Sequence, residues 1–429
     1  MNESRIEPTR LEVTAAAATP ALQIPLALGI ALDAVEEGFF SLCVAAGRRV
    51  LVEMMELDRT ALCGAKWTPN PEREAHRAGS APSEVTMGGR RVALRRPRVR
   101  SVEGREVELP SFAYAARRDP LDRRTLEAIA VGVSTRDYAR SLEELPGGER
   151  ERSVSKSAVS RRFVALSKRQ LSEWLARPLG ELGIRIVLVD GIILGEHTVL
   201  LALGIDSAGE KHVLALREGT TENATVARAL LSDLVDRGLD ASSGLIFGID
   251  GAKALRKAIR DVFGIFAVVQ RCQVHKERNV LDHLPEEKRA SVRRAMRDAY
   301  GLEDAKKAER TLENLARALE HQHPGAAASL REGLAETLTL QRLGVTGWLY
   351  RTLRSTNPIE NLNALVADYV GNVKHWRSGD MVVRWVAAGV REASRRFRKL
   401  RGYQDIPRLL AALEHLVNQG ELDTEKKVA

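Results

Sequence analysis

The sequence predicts an α/β fold: a mixed sheet interrupted by an all-α insertion and preceded by a mainly helical region with short basic strands. Three observations carry that expectation. From Ile184 the apolar residues come in short, β-branched runs instead of at helical spacing. From about Pro285 to Leu343 the chain is rich in Ala, Glu, Arg and Leu at helical spacing, with no strand signal. Two of the apolar runs, IRIVLVDGII and GLIFGIDGAKAL, close on Asp-Gly at Asp190 and Asp250. A strand ending in Asp-Gly pushes a carboxylate out of a hydrophobic sheet to a place that a ligand can approach closely.

At 429 residues the chain is long for one core, so two or three domains are expected. Lysine and arginine total 66 against 57 acidic residues, a net charge of +9. The excess is concentrated in RRVALRRPRVR (90–100), SRRF (160–163) and REASRRFRKLR (391–401). Any one such cluster reads as solvated surface; three together fit a polyanionic partner, chiefly nucleic acid. Cys43, Cys63 and Cys272 are widely spaced and odd in number, which argues against a disulfide framework and for a reducing cytoplasm. MNESRIEPTR has no apolar core, and Asp33, Glu36 and Glu37 interrupt the apolar stretch 21–46, so neither a signal peptide nor a membrane span is expected.

Residues 1–21, poor in bulky apolar side chains, read as a disordered lead-in. In 22–118, Leu22 to Leu57 has helical spacing, 64–88 is rich in Pro, Gly and charge and reads as loop, and MGGRRVALRRPRVRSVEGREVELP alternates apolar and basic residues as a hairpin would. Arg95, Arg96 and Arg98 are the nucleic-acid candidates there. Residues 119–180 read as a helix-turn-helix. LEAIAVGVSTRDYARSLEEL supplies two helices about a Gly132-Val133-Ser134 turn, and a third follows the PGGERER loop with Ser153 or Ser155 as N-cap. Val159, Phe163, Leu166 and Leu171 share one face of that third helix. Lys156, Ser157, Ser160, Arg161 and Arg162 would meet phosphates or base edges. A helical hairpin with an exposed polar face has the same pattern.

In 181–284, three apolar strands joined by short turns precede a helix, a fourth strand, a second helix and a fifth strand. That is the order of the ribonuclease H-like fold, in which the first and fourth strands, here bearing Asp190 and Asp250, are neighbours. Residues 285–350 form the all-α insertion. Residues 351–402 complete the core with Glu360 and a basic helix from Met381 to Arg401, and 403–429 read as a tail. Arg354, Arg395 and Arg396, with Lys374 and Lys399, are further candidates for phosphate contacts.

Two carboxylates on neighbouring strands, with a third from a helix, make an oxygen-ligand site for Mg²⁺. Two such ions can act together on the attacking and leaving oxygens of a phosphodiester. Each aspartate alone is an ordinary turn former. Glu360 has a rival role, since Asn357-Pro358-Ile359-Glu360 is a capping box with Asn357 as N-cap. Cys272 and His275 form a CxxH that lacks the partners of a structural zinc site, and read as a packed cysteine and a hydrogen-bonding histidine beside the acids.

The segments RRPRVRS, GVSTRDYARSL, SVSKSAVSRRF, VLVDGIILG, DRGL, GIDGAKALRKAI, QRCQVHKERNVLDHLP and RSTNPIENLN, in this order, resemble those of the mutator-type transposases of bacterial insertion sequences. The likeness runs from about residue 22 to 400. It implies a DDE enzyme with Asp190, Asp250 and Glu360 as catalytic acids and metal ligands, and Cys272, His275 and Asn357 as auxiliary residues. It also implies two Mg²⁺ ions, with Mn²⁺ as a substitute. The implied substrates are double-stranded DNA, both terminal inverted repeats and target, joined by 3′-OH strand transfer without a covalent enzyme intermediate. A dimer or larger assembly on the DNA is expected, because two element ends must meet. The PGGERER loop departs from a tight helix-turn-helix. A domesticated DNA-binding regulator and a ribonuclease H-like nuclease are the alternatives.

Overall fold

The computed structural model describes residues 10–11, 24–25, 35–68, 73, 75–87, 90–117, 152–153, 156–220, 223–371, 373 and 375–419. The chain divides into two compact units, Met1–Phe163 and Val164–Ala429.

In the N-terminal unit, helix α1 (Val35–Cys63) buries Val44, Leu51 and Met55, seven and four residues apart and so on one face. They join Val85 and Met87 of β1 (Ala75–Met87) and Val92, Leu94 and Val99 of β2 (Arg90–Ser101) in a single apolar cluster. Most of β1 falls in the stretch expected to be loop. Its Gly, Ser and Pro residues are turn formers, but here they sit on an edge strand. A bulge between Arg77 and Ser80 uses Gly79 at φ +78°, and Pro82 lies beyond it. Strands β3 (Glu106–Val107) and β4 (Arg152–Ser153) both pair with β2, leaving it central. Ser153, offered by the sequence as an N-cap, is therefore a strand residue. Helix α2 (Pro110–Arg117) is tied to α1 through Ser111, whose N–H and hydroxyl both donate to Asp58 Oδ2 at 2.8 and 2.6 Å. In the stretch expected as a lead-in, Arg10–Leu11 pairs with Ile24–Pro25. The first two helices expected for the helix-turn-helix lie outside the described residues; the third is α3 (Lys156–Leu175).

The second unit holds a five-stranded sheet. Strands β5 (Ile184–Leu194), β6 (His197–Asp206) and β7 (Lys211–Glu218) form an antiparallel meander. After α4 (Ala224–Asp236) come β8 (Leu245–Ile249), α5 (Lys253–Phe263) and β9 (Ala267–Arg271). The sheet order is β9-β8-β5-β6-β7, with β8 parallel to both of its neighbours. Strand β5 is covered on both sides, which explains its unbroken apolar run. Val187 and Val189 pack with Leu230, Leu234, Leu255 and Ile259 of α4 and α5. Ile186 and Leu188 face a cluster built by α13 (Asn357–Val370), α14 (Gly379–Ser394) and α15 (Ile406–Asn418). Helix α15 occupies the stretch expected to be a tail: Ile406, Leu409 and Leu413, spaced three and four apart, are buried against the sheet.

Between β9 and α13 the chain is helical throughout, in α6 (Gln273–Leu281), α7 (Glu286–Tyr300), α8 (Ala305–Glu320), α9 (Pro324–Arg331), α10 (Leu334–Thr337), α11 (Thr339–Arg342) and α12 (Gly347–Leu353). Residues of α6 to α10 share an apolar cluster of their own, containing Val280, Met296, Leu312 and Leu330. Lys276 is 0 % exposed; its ammonium donates to the carbonyls of Ser329 and Glu332, tying α6 to the end of α9. Among the described residues no helix is long and apolar enough to cross a membrane.

Candidate metal centre

Asp190 does not end its strand. β5 continues through Asp190-Gly191 to Leu194, paired with β6 at Leu201 and Leu200. What ends beside it is β8, whose last pairing with β5 is Gly248 to Leu188. Two residues further along each parallel strand, that register sets Asp250 level with Asp190. The two strands approach closely here, since a Cβ on Gly248 would lie 2.3 Å from a Leu188 methyl. Asp250 leaves the strand in a local turn, its Oδ1 accepting the Ala252 N–H at 2.9 Å. Gly251 follows at φ +115°, and a Cβ there would meet the Arg271 guanidinium at 2.3 Å. Only glycine fits the bend that separates Asp250 from α5.

Glu360 lies in the first turn of α13. The capping box expected there does not form. The helix already includes Asn357, which is exposed, and Thr356 takes the cap position. The Glu360 carboxylate accepts the Thr356 hydroxyl at 2.6 Å, so it is not turned back to a backbone N–H. One helical turn on, Asn363 donates from Nδ2 to Asp190 Oδ2 at 2.9 Å. Its own Oδ1 is buried and has no hydrogen-bond partner among the described residues.

Cys272 caps α6 at the end of β9, its Sγ accepting the His275 N–H at 3.5 Å. His275 Nδ1 lies 3.4 Å from Thr356 Oγ1 and 3.9 Å from Glu360 Oε1. The sulfur, a ring nitrogen and a Glu360 oxygen all lie within 4.8 Å of one another.

Burial raises the Asp190 carboxyl to about 6; the Gly191 N–H opposes this, the charges of Asp250 and Glu360 add to it, and His275 lowers it. The hydrogen bond with Cys272 lifts His275 above its ordinary range against the effect of burial, helped by the Cys272, Glu360 and Asp250 charges. Burial works to raise the Cys272 thiol, but hydrogen bonds with His275 and Thr356 outweigh it and hold the thiol below its usual value. Three carboxylates, hard oxygen donors all, suit a divalent cation.

The other candidates are distributed over both units. Arg95 is exposed and donates to Ser80 Oγ, whereas Arg96 and Arg98 are both engaged by Glu106, at 2.8 and 2.7 Å. Ser157 and Arg161 of α3 are exposed and Ser160 is half-buried, while the side chains of Lys156 and Arg162 lie outside the described residues. Arg354 ends α12, its carbonyl accepting the Gln273 N–H at 2.9 Å beside Cys272. Arg395 pairs with Glu392 at 2.7 Å, Arg396 lies over the Tyr369 ring, and Lys399 pairs with Glu210. Lys374 is not among the described residues. Sequence reasoning missed Thr356 and Asn363. Asn363 was legible as a polar residue three positions after Glu360, on the same helix face.

A family model described as "Transposase, Mutator family" matches residues 32–399 of the chain. The chain is similar to the transposase of insertion sequence element IS6120 of Mycolicibacterium smegmatis, 31% identical over 55% of this chain and 72% of the relative. It is 29% identical to that of IS256 in transposon Tn4001 of Staphylococcus aureus, over 73% of this chain and 80% of the relative. With that of IS406 of Burkholderia multivorans the identity is 31%, over 73% and 81%.

Proposed function

Because the chain belongs to the Mutator family of transposases, we propose that it is an insertion-sequence transposase that cuts and joins DNA at a three-carboxylate site. The observation that carries this reading is geometric: Asn363, one turn after Glu360 on α13, donates to Asp190 at 2.9 Å, and Asp250 follows the end of β8, the parallel neighbour of the strand that bears Asp190. Asp190, Asp250 and Glu360 would hold two Mg²⁺ ions, or Mn²⁺ in their place. When bound, such ions neutralise charge on the attacking and leaving oxygens of an in-line phosphoryl transfer.

The chain's own residues supply the frame. Asn363 fixes one oxygen of Asp190, Thr356 fixes one oxygen of Glu360, and the Ala252 N–H fixes one oxygen of Asp250. Each leaves the other carboxylate oxygen for a cation, so little reorganisation is needed during reaction. Hydrolysis at the element end frees a 3′-OH, which then attacks a target phosphodiester and displaces its 3′ oxygen. No enzyme nucleophile is required. The strand order, with three antiparallel strands before two parallel ones, and the helical insertion between Asp250 and Glu360 support a ribonuclease H-like core. Arg95, Arg161 and Arg354 are proposed phosphate contacts, and a dimer or larger assembly on two element ends is the proposed working form.

Asp190→Asn tests the reading. The variant is expected to retain wild-type affinity for element-end DNA in a gel shift while losing Mg²⁺-dependent cleavage. Cleavage at the wild-type rate would overturn it.

A further inference from the structure

Cys272, His275 and Glu360 come from three places, the end of β9, the first turn of α6 and the first turn of α13. The sequence offered the first two as a zinc half-site without partners; the fold brings the third. We propose that these three residues form a second cation site, selective for a soft or borderline ion such as Zn²⁺, which shares Glu360 with the Mg²⁺ site and switches that site off when filled. The proposal rests on the reading of Glu360 as a catalytic ligand only for its inhibitory consequence.

The donor set is the first argument. One sulfur, one imidazole nitrogen and one carboxylate oxygen are a zinc ligand set with an open fourth position, whereas Mg²⁺ takes oxygen. Distance is the second. Ligand atoms of a tetrahedral zinc stand about 3.3–3.7 Å apart given the usual bond lengths. The three here lie within 4.8 Å of one another, so side-chain rotation of an ångström or so closes the site. Access is the third. Cys272 is 1 % exposed, but His275 and Glu360 are only part-buried and leave a way in. A thiol at the N-terminus of a helix, beside an imidazole, is also set up to lose its proton to solvent as the metal arrives.

Filling this site changes Glu360. Its Oε1 now accepts the Thr356 hydroxyl. Bound to a cation with Cys272 and His275, that carboxylate is drawn away from Asp190, and the three-carboxylate set loses a member. Zn²⁺ is therefore expected to inhibit in the presence of saturating Mg²⁺, in a way that depends on Cys272.

The test uses Co²⁺ as a spectroscopic stand-in, added to the full-length, metal-free protein. Wild type is expected to give a near-ultraviolet thiolate-to-cobalt band saturating at one ion per chain and displaced by Zn²⁺. Cys272→Ser should abolish the band, His275→Gln should weaken Zn²⁺ binding about tenfold or more, and Asp250→Asn should leave the band intact. No band in wild type, or a band that survives Cys272→Ser, would overturn the proposal; in the second case the thiolate is Cys43 or Cys63. Should Cys272→Ser fail to fold, His275→Gln decides alone, and unchanged Zn²⁺ affinity in it overturns the proposal. The ratio of cleavage rates with and without Zn²⁺ is then read for wild type and Cys272→Ser, and equal ratios refute the inhibitory role. Absence of any Mg²⁺-dependent cleavage by wild type is a separate result, which defeats the transposase reading and leaves the cobalt band to stand or fall by itself.

Discussion

Asp190 is the residue on which the site's electrostatics turn. Its carboxyl titrates near 6 in the fold against an ordinary 3.8, so between those values the folded chain holds a proton that the unfolded chain has released. The metal-free protein should lose stability as pH rises through that window, in total on the order of 3 kcal/mol. Asp190→Asn removes the effect. Its melting temperature in chelator should exceed that of wild type at pH 7 and approach it near pH 4, and Mg²⁺ should raise only the wild-type value. A variant no more stable than wild type at pH 7 would contradict a carboxyl raised chiefly by burial. Asn363 acts on the same carboxylate, and a hydrogen bond to a charged group is worth about 1.5–3 kcal/mol. Asn363→Ala should accordingly slow cleavage roughly 10- to 100-fold while DNA affinity is kept, as measured by single-turnover cleavage beside a gel shift. Neither effect was visible in one dimension: Asp190 and Asn363 are 173 residues apart, and their hydrogen bond exists only because α13 packs on β5.

Among the elements, the register of β8 on β5 does most to build the site, because it alone sets Asp250 level with Asp190. The sequence carried the strands and their order, since β-branched runs bounded by Gly are unambiguous. It did not carry where a strand stops, as β5 runs four residues past Asp190 and its Asp-Gly lies within the strand. Nor did it carry β1, whose turn-forming residues are tolerated on a bulged edge strand, or α15, whose short apolar stripe shows its meaning only against the sheet. The bend after β8 should be the most sensitive single point. Gly251→Ala forces a β-carbon into the Arg271 guanidinium at a backbone angle that side chains avoid. It is expected to cost about 1–3 kcal/mol in denaturant unfolding and to lower cleavage further than stability alone accounts for. In α6, Lys276 is the fixed point, with its pKa pressed down to about 7 chiefly by burial. Lys276→Met would remove the ammonium donor from the Ser329 carbonyl and leave the Glu332 carbonyl to Arg271 alone, and a loss of about 1–3 kcal/mol is expected by the same measurement.

The chain as a whole pairs a modest cationic excess, gathered in clusters, with a centre of three carboxylates, and the DNA substrate proposed for it would use both. The basic clusters pointed to a polyanionic partner as an expectation from composition alone. Which arginines remain free to meet it was not readable, because Arg96 and Arg98 are committed to Glu106 by a strand pairing that sequence did not specify, while Arg95 and Arg161 stay exposed. Arg95→Glu with Arg161→Glu should therefore weaken binding to element-end DNA about tenfold or more and flatten its dependence on salt, measured by fluorescence anisotropy over a salt series. An unchanged salt slope would remove these two residues from the interface. The most direct measurement is Mg²⁺-dependent cleavage and joining of element-end DNA to a target by wild type and Asp250→Asn side by side. A DDE transposase gives joined product with wild type and none with the variant, although both bind the DNA. Binding without cleavage by either protein, or cleavage that never yields a joined strand, would contradict it.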